Sequence, residues 1–184
     1  RSIQQTDILL LFRKQSRHVR MKVAITASDT FVAPYIVEML GNAAVVIPDE
    51  AIKDQLTIDS LLTPCNALIH INSRPVESSF ERNDRQTKLE MMNAARPILD
   101  AVDRHGSIHL IIVGTLRVHP QWEPGEPFYG LDSTLAPRDT AAEGQLWMEE
   151  NALDRAHSEK PVSIIRASNV QGVPLSGPPG NGIL

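Results

Sequence analysis

Short, continuous apolar runs alternate with stretches of helical periodicity along most of this chain, and that alternation decides what it can fold into. The runs at 22–26, 43–47, 67–71, 108–113 and 161–165 are rich in Val, Ile and Leu. They read as strands covered on both faces, because a strand with one wet face would alternate apolar and polar side chains. Between the first two, 30–40 places Phe31, Val32, Tyr35, Ile36, Met39 and Leu40 at helical spacing, and Gly41 with Asn42 closes it as a C-cap. Residues 57–62 read as a short helical turn and 140–157 as a helix. Residues 83–105 read as a long helix that Pro97 should kink or split. Strand and helix in alternation predict parallel strands joined by right-handed crossovers, a three-layer α/β sandwich.

Composition narrows the classes of function. Net charge is −4 and the pI near 5.9, which argues against a nucleic-acid partner, since such a domain carries a basic face. No apolar run approaches the roughly 18 residues that cross a bilayer. Cys65 is the only cysteine, so no internal disulfide can form and a reducing, cytoplasmic setting is expected. The six histidines include no i, i+4 pair on one expected helix, because Gly106 and a strand start separate His105 from His109, and no metal site is expected. Residues 1–20 are Arg-rich and acid-poor, which fits an organelle presequence or, the favoured reading, a disordered or non-native extension ahead of Met21.

The turn after the first strand is Thr26-Ala27-Ser28-Asp29-Thr30-Phe31-Val32-Ala33. It resembles the Thr-Gly-x-x-Gly-Phe-x-Gly turn of the extended short-chain dehydrogenases/reductases, the NAD-dependent epimerase/dehydratase family. Further similarities follow in order: the strand ending at His70, then Asn83, Thr87 and Asn93-Ala94-Ala95. After them come the strand end Val113-Gly114-Thr115, then Ala141-Ala142-Glu143, then Arg166-Ala167-Ser168-Asn169-Val170-Gln171-Gly172. The resemblance spans 21–184 and implies a Rossmann-like fold that holds NAD or NADP and a small nucleotide-linked substrate, such as a nucleotide sugar. It implies cofactor contacts at Thr26, Ala27, Thr30, Phe31, Val32, Ala33, His70 and Asn169, and a homodimer formed through a helix pair. Asp49 lies 22 residues after Ala27, near where an acid would hold the adenosine ribose, or it is a turn acid after Pro48.

The departures from that pattern are as informative. Ala27, Thr30 and Ala33 replace the glycines that permit a tight turn, close approach of pyrophosphate and helix packing. Thr30 puts a branched side chain where phosphate needs bare backbone, and Asp29 opposes an anion there. The family's Tyr-x-x-x-Lys pair, counted back from Glu143, falls on Leu135 and Asp139, and no lysine occurs between Lys88 and Lys160. Thr115 can orient a substrate oxygen, and Tyr129 and His119 are the remaining candidates for proton transfer. Nothing near Tyr129 in the sequence supplies the cation that a catalytic tyrosine needs. The expectation is therefore impaired or absent catalysis, or a non-catalytic binding or scaffold module.

Three further readings concern organisation. Only 36 residues separate Ala33 from His70, fewer than the resembled family usually has, so the resemblance implies a strand–helix unit lost or reduced around 48–55. The loop at 116–137 is long, which usually signals a functional segment, and Trp122 and Phe128 in it either stack on a ligand or tie the loop down. The expected organisation is an extension at 1–20, a dinucleotide-binding domain at 21–172, and a Gly/Pro-rich tail at 173–184. That tail, a linker or loop, would lead toward an absent substrate domain.

Overall fold

A computed structural model describes residues 21–26, 32–71, 84–125, 127–130, 132–167, 170–172 and 180–182. Five parallel strands form the central sheet: β1 (Val23–Ile25), β2 (Ala44–Val46), β3 (Ala67–Ile71), β4 (His109–Thr115) and β5 (Val162–Ala167), in the order β2-β1-β3-β4-β5. The helices are α1 (Ala33–Leu40), α2 (Asp49–Ile52), α3 (Gln55–Leu62), α4 (Asp84–Arg104) and α5 (Thr140–Asp154).

The connection from β1 to β2 runs one way across the sheet and every later one runs the other way. Right-handed crossovers therefore set α1 on one face and the remaining helices on the other. The core divides accordingly. Ala24, Leu68, Leu110 and Ile112 point toward Ile58, Leu62, Ile98, Leu99, Val102 and Met148, all buried on the helix-rich face. The alternate strand residues Ile25, Ile71 and Val113 meet Ala33, with Ile36, Val37 and Leu40 of α1 beside them. Ile165, in register with Val113 and Ile71, is 52% exposed, because no described helix covers that face at β5.

No strand intervenes between β2 and β3 among the described residues. Residues 48–55 instead form α2 and the start of α3, capped where Asp54 accepts from the Thr57 amide at 3.2 Å. The loss expected there leaves β2 as the sheet edge. Gly41, with φ at +50°, ends α1 as its sequence position suggested, and a 3-10 turn at Gly41–Ala43 leads into β2.

Two expectations need correction. Pro97 does not split its helix: α4 runs unbroken over 21 residues. Proline removes one amide donor, but Ala95, Ile98, Leu99, Ala101 and Val102 bury an apolar stripe on both sides of it, and that burial outweighs one lost bond. The tail is likewise not wholly linker. Val170–Gly172 (β6) pairs antiparallel with Gly180–Gly182 (β7), in a register that sets Gly172 opposite Gly180 and Val170 opposite Gly182. Glycine is a weak strand former, which hid this ribbon in the sequence. The helix expected to reach 157 stops at Asp154, while the last strand runs on from 165 to Ala167.

Helices α4 and α5 pack closely. A Cβ placed on Gly144 would lie 2.9 Å from the Met91 Cβ. Lys88 pairs with Glu143 at 2.8 Å, and the Arg96 guanidinium sits 5.7 Å over the Trp147 ring.

Candidate functional site at the carboxyl ends of the strands

In an open α/β sheet, ligands bind outside the carboxyl ends of the strands, where the strand order reverses. Here that point lies between β1 and β3, where Thr26 follows β1 and Ala33 opens α1. Thr26, fully buried, donates its amide to the Ile69 carbonyl at 3.1 Å. Its Oγ1 lies 2.7 Å from Nδ1 of His70, which ends only 7% exposed. Burial pushes the His70 imidazole down to about 4. His70 is thus a hydrogen-bonded interior histidine flooring the crevice, and its ring is kept uncharged at neutral pH.

Ala33 is buried at the start of α1, where Val32 provides no side-chain cap and Pro34, in the first turn, lacks an amide donor. Asp49 is exposed and opens α2 shortly after β2. Of the cofactor residues expected from the sequence, Ala27, Thr30, Phe31 and Asn169 lie outside the described residues.

A second constellation fills the ends of β4 and β5. Thr115 is half-buried, and its Oγ1 accepts from the Arg117 amide at 3.2 Å, capping the short 3-10 turn Leu116–Val118. Its hydroxyl hydrogen remains able to donate toward a ligand. Arg117 pairs with Asp139, the residue at the expected lysine position, and Asp139 also caps α5 by accepting from the Ala142 amide at 2.9 Å. Leu135, at the expected tyrosine position, is 38% exposed. The positions that match the family's proton-transfer pair thus carry a helix cap and an apolar side chain.

Tyr129 has a cation after all, against the reading from sequence. Arg138 donates to the Tyr129 hydroxyl at 3.2 Å, while that hydroxyl donates to the Pro120 carbonyl. Arg138 also donates to the carbonyls of Pro120 at 2.7 Å and His119 at 3.0 Å. The pairing was hidden because the chain folds back on itself there, with the Arg138 amide bonded to the Arg117 carbonyl at 3.0 Å.

His119, in contrast, does not face the crevice as a base. It is 2% exposed, its ring stacks on Tyr129 at 4.5 Å, and both nitrogens are engaged. Nδ1 lies 3.1 Å from the Thr134 carbonyl, which only accepts, and Nε2 lies 3.3 Å from the Arg166 guanidinium, which only donates. The hydrogen therefore sits on Nδ1. Trp122 and Phe128 stack on each other, nearly parallel at 6.0 Å.

Sequence reasoning missed Gln145 and Glu149, whose signal was their i, i+4 spacing on α5. Glu149 is fully buried, unlike its exposed neighbour Glu150. It accepts from Gln145 at 2.8 Å and, through its other oxygen, from Arg166 at 2.8 and 2.9 Å. Gly114 makes room for this pair, since a Cβ there would stand 2.2 Å from the Gln145 Nε2 and 2.9 Å from the Glu149 Oε1. Among the described residues no group of three or more His, Cys, Asp and Glu side chains lies close enough to hold a metal ion, and no helix is long and apolar enough to cross a membrane.

No protein-family model matches the sequence, and no curated protein does. Solved structures do match. RMD from Pseudomonas aeruginosa, complexed with NADPH, is 18% identical, with a TM-score of 0.70 over 85% of this chain and 56% of that one. UDP-glucuronic acid 4-epimerase from Bacillus cereus, in complex with UDP-glucuronic acid and NAD, is 15% identical, with a TM-score of 0.62 over 79% of this chain and 56% of that one. dTDP-4-dehydrorhamnose reductase from Yersinia enterocolitica is 18% identical, with a TM-score of 0.62 over 80% of this chain and 52% of that one. At these identities the likeness establishes the fold, a Rossmann-like α/β domain. The chain spans about half the length of these neighbours.

Proposed function

We propose that this chain is a divergent dinucleotide-binding domain of the extended short-chain dehydrogenase/reductase kind, with impaired or no turnover. The observation that carries the reading is the Thr26–His70 pair at the ends of β1 and β3, at the switch point of a parallel sheet. The structural neighbours named above include complexes with NADPH and with NAD.

On this reading Thr26, Val32 and Ala33 hold the pyrophosphate, Asp49 meets the adenosine ribose, and Thr115 donates to an oxygen of a nucleotide-linked substrate. The bound nicotinamide would supply hydride transfer at a carbonyl or alcohol carbon. Tyr129 with Arg138 is the pair best placed to move a proton, but its hydroxyl is committed to the Pro120 carbonyl, which argues for slow chemistry. Fit to the cofactor is partial: the fold and the crevice suit it, while a proline in the first turn of α1 and the residues at 27, 30 and 33 weaken the phosphate cradle.

A second reading, a non-catalytic binding or scaffold module, is favoured by Asp139, which caps α5 where the lysine would act. In that case the close α4–α5 pair, with Leu89 and Leu153 each about half exposed, is the candidate homodimer face. Cys65, buried and unpaired, accords with a proposed cytoplasmic setting.

Restoring glycine at 27, 30 and 33 together tests the cradle. Affinity for NAD⁺ or NADP⁺ is expected to rise at least tenfold in calorimetric titration, and unchanged affinity would show that this turn does not limit binding.

A further inference from the structure

The carboxylate of Glu149 is sealed between α5 and the bare backbone of Gly114, and its only described cationic partner is Arg166. Burying such a pair gives little net stability, because desolvation offsets most of the Coulombic gain. Its position is more telling. Two nitrogens of the Arg166 guanidinium go to Glu149, and the third goes to Nε2 of His119. His119 is the first residue after the 3-10 turn that follows β4, so it begins the long irregular segment 119–139. Its Nδ1 reaches Thr134, far along the same segment, and its ring supports Tyr129 midway. Arg138 then gathers the carbonyls of His119 and Pro120 with the Tyr129 hydroxyl. One continuous chain of contacts thus runs from inside α5, through β5, to three separated points on the segment.

We propose that Glu149 and Arg166 form a latch: acting through His119, they hold residues 119–139 against the carboxyl ends of β4 and β5. Releasing the pair opens this wall of the crevice while the sheet stays folded. Both are positioning residues, since they act through His119 and Glu149 is buried. The segment is also tied at its far end, where Arg117 pairs with Asp139. The Ala136 and Arg138 amides bond to the Val118 and Arg117 carbonyls at 2.9 and 3.0 Å, and these bonds report whether it is docked. The inference rests on these contacts and does not depend on which cofactor the domain takes.

Amide hydrogen exchange on the full chain tests it. Gln145, Glu149 and Arg166 are all changed to Met, which removes the polar network at similar volume and leaves no buried charge behind. Exchange at Ala136 and Arg138 should accelerate about tenfold or more, the effect of losing one hydrogen bond to a charged group. Exchange at the core amide of Ile112 should change far less. His119→Phe keeps a ring against Tyr129 but deletes both nitrogen contacts, so it should produce the same selective acceleration even if the triple variant fails to fold. Segment amides that remain as protected as in the parent in a folded variant overturn the latch. So does an acceleration matched equally at Ile112, which would mark the network as ordinary global stabilisation.

Discussion

Arg166→Met alone is expected to cost about 3–5 kcal/mol of unfolding free energy, the range seen when one partner of a buried ion pair is removed. Glu149 would then keep its carboxylate in a site with no solvent access, balanced only by the neutral amide of Gln145. In a domain of this size each kcal/mol moves Tm by about 2–4 °C, so a thermal melt should fall by about 10 °C or more. Denaturant unfolding of the two proteins at pH 7 measures the effect. A cost below about 1 kcal/mol at pH 7 would mean that Glu149 is not buried as a carboxylate, and the packing of α5 on Gly114 would need revision.

Acid is expected to weaken the whole domain through His70. Burial holds its folded-state value at about 4 against an ordinary 6.5. Between those values the unfolded chain binds a proton that the folded chain refuses, so stability rises with pH across this window. The contribution is complete above 6.5 and is lost as pH falls from 6.5 toward 4. The span corresponds to roughly 3 kcal/mol. Asp54 and Asp59, lowered by hydrogen bonds from Thr57 and Arg104 respectively, lose their contributions only below the ordinary carboxylate value of 3.8, outside this window. Urea unfolding of the parent and of His70→Gln at intervals from pH 7 to 4.5 isolates the effect. The parent should lose stability that the variant keeps, and parallel curves would show that His70 is not enclosed beside Thr26.

The sheet was legible in the sequence for a physical reason. Parallel strands covered by helices need apolar side chains on both faces, so β3 and β4 announce themselves as unbroken runs. The short passage from β2 to β3, with helices and no described strand, was legible from the spacing of Ala33 and His70 set against the resembled family. What failed was anything decided by competition or by distance. Pro97 carries a strong local penalty, yet the apolar stripe from Ala95 to Val102 overrides it, and that stripe acts only once β4 is in place. Most contacts that define the second constellation join residues far apart in sequence, Arg166 with His119 and Gly114 with Gln145 and Glu149, while Arg138 meets Tyr129 across a nine-residue fold-back. Gly114 read only as part of a strand end, although its missing side chain is what admits the carboxylate. His119 stood near a strand end, where a cleft residue belongs, but three hydrogen-bonding and stacking partners turn it inward.

The central claim is that the turn at 26–33 still receives a dinucleotide although its glycines are gone. Calorimetric titration of the folded, monodisperse chain with NAD⁺, NADH, NADP⁺ and NADPH tests it most directly. The account predicts saturable one-site binding to at least one of the four, weaker than the micromolar level of about −8 kcal/mol and strengthened by restoring the glycines. No heat from any of the four up to millimolar concentration, in a sample that melts cooperatively, would contradict it and leave the scaffold reading in its place.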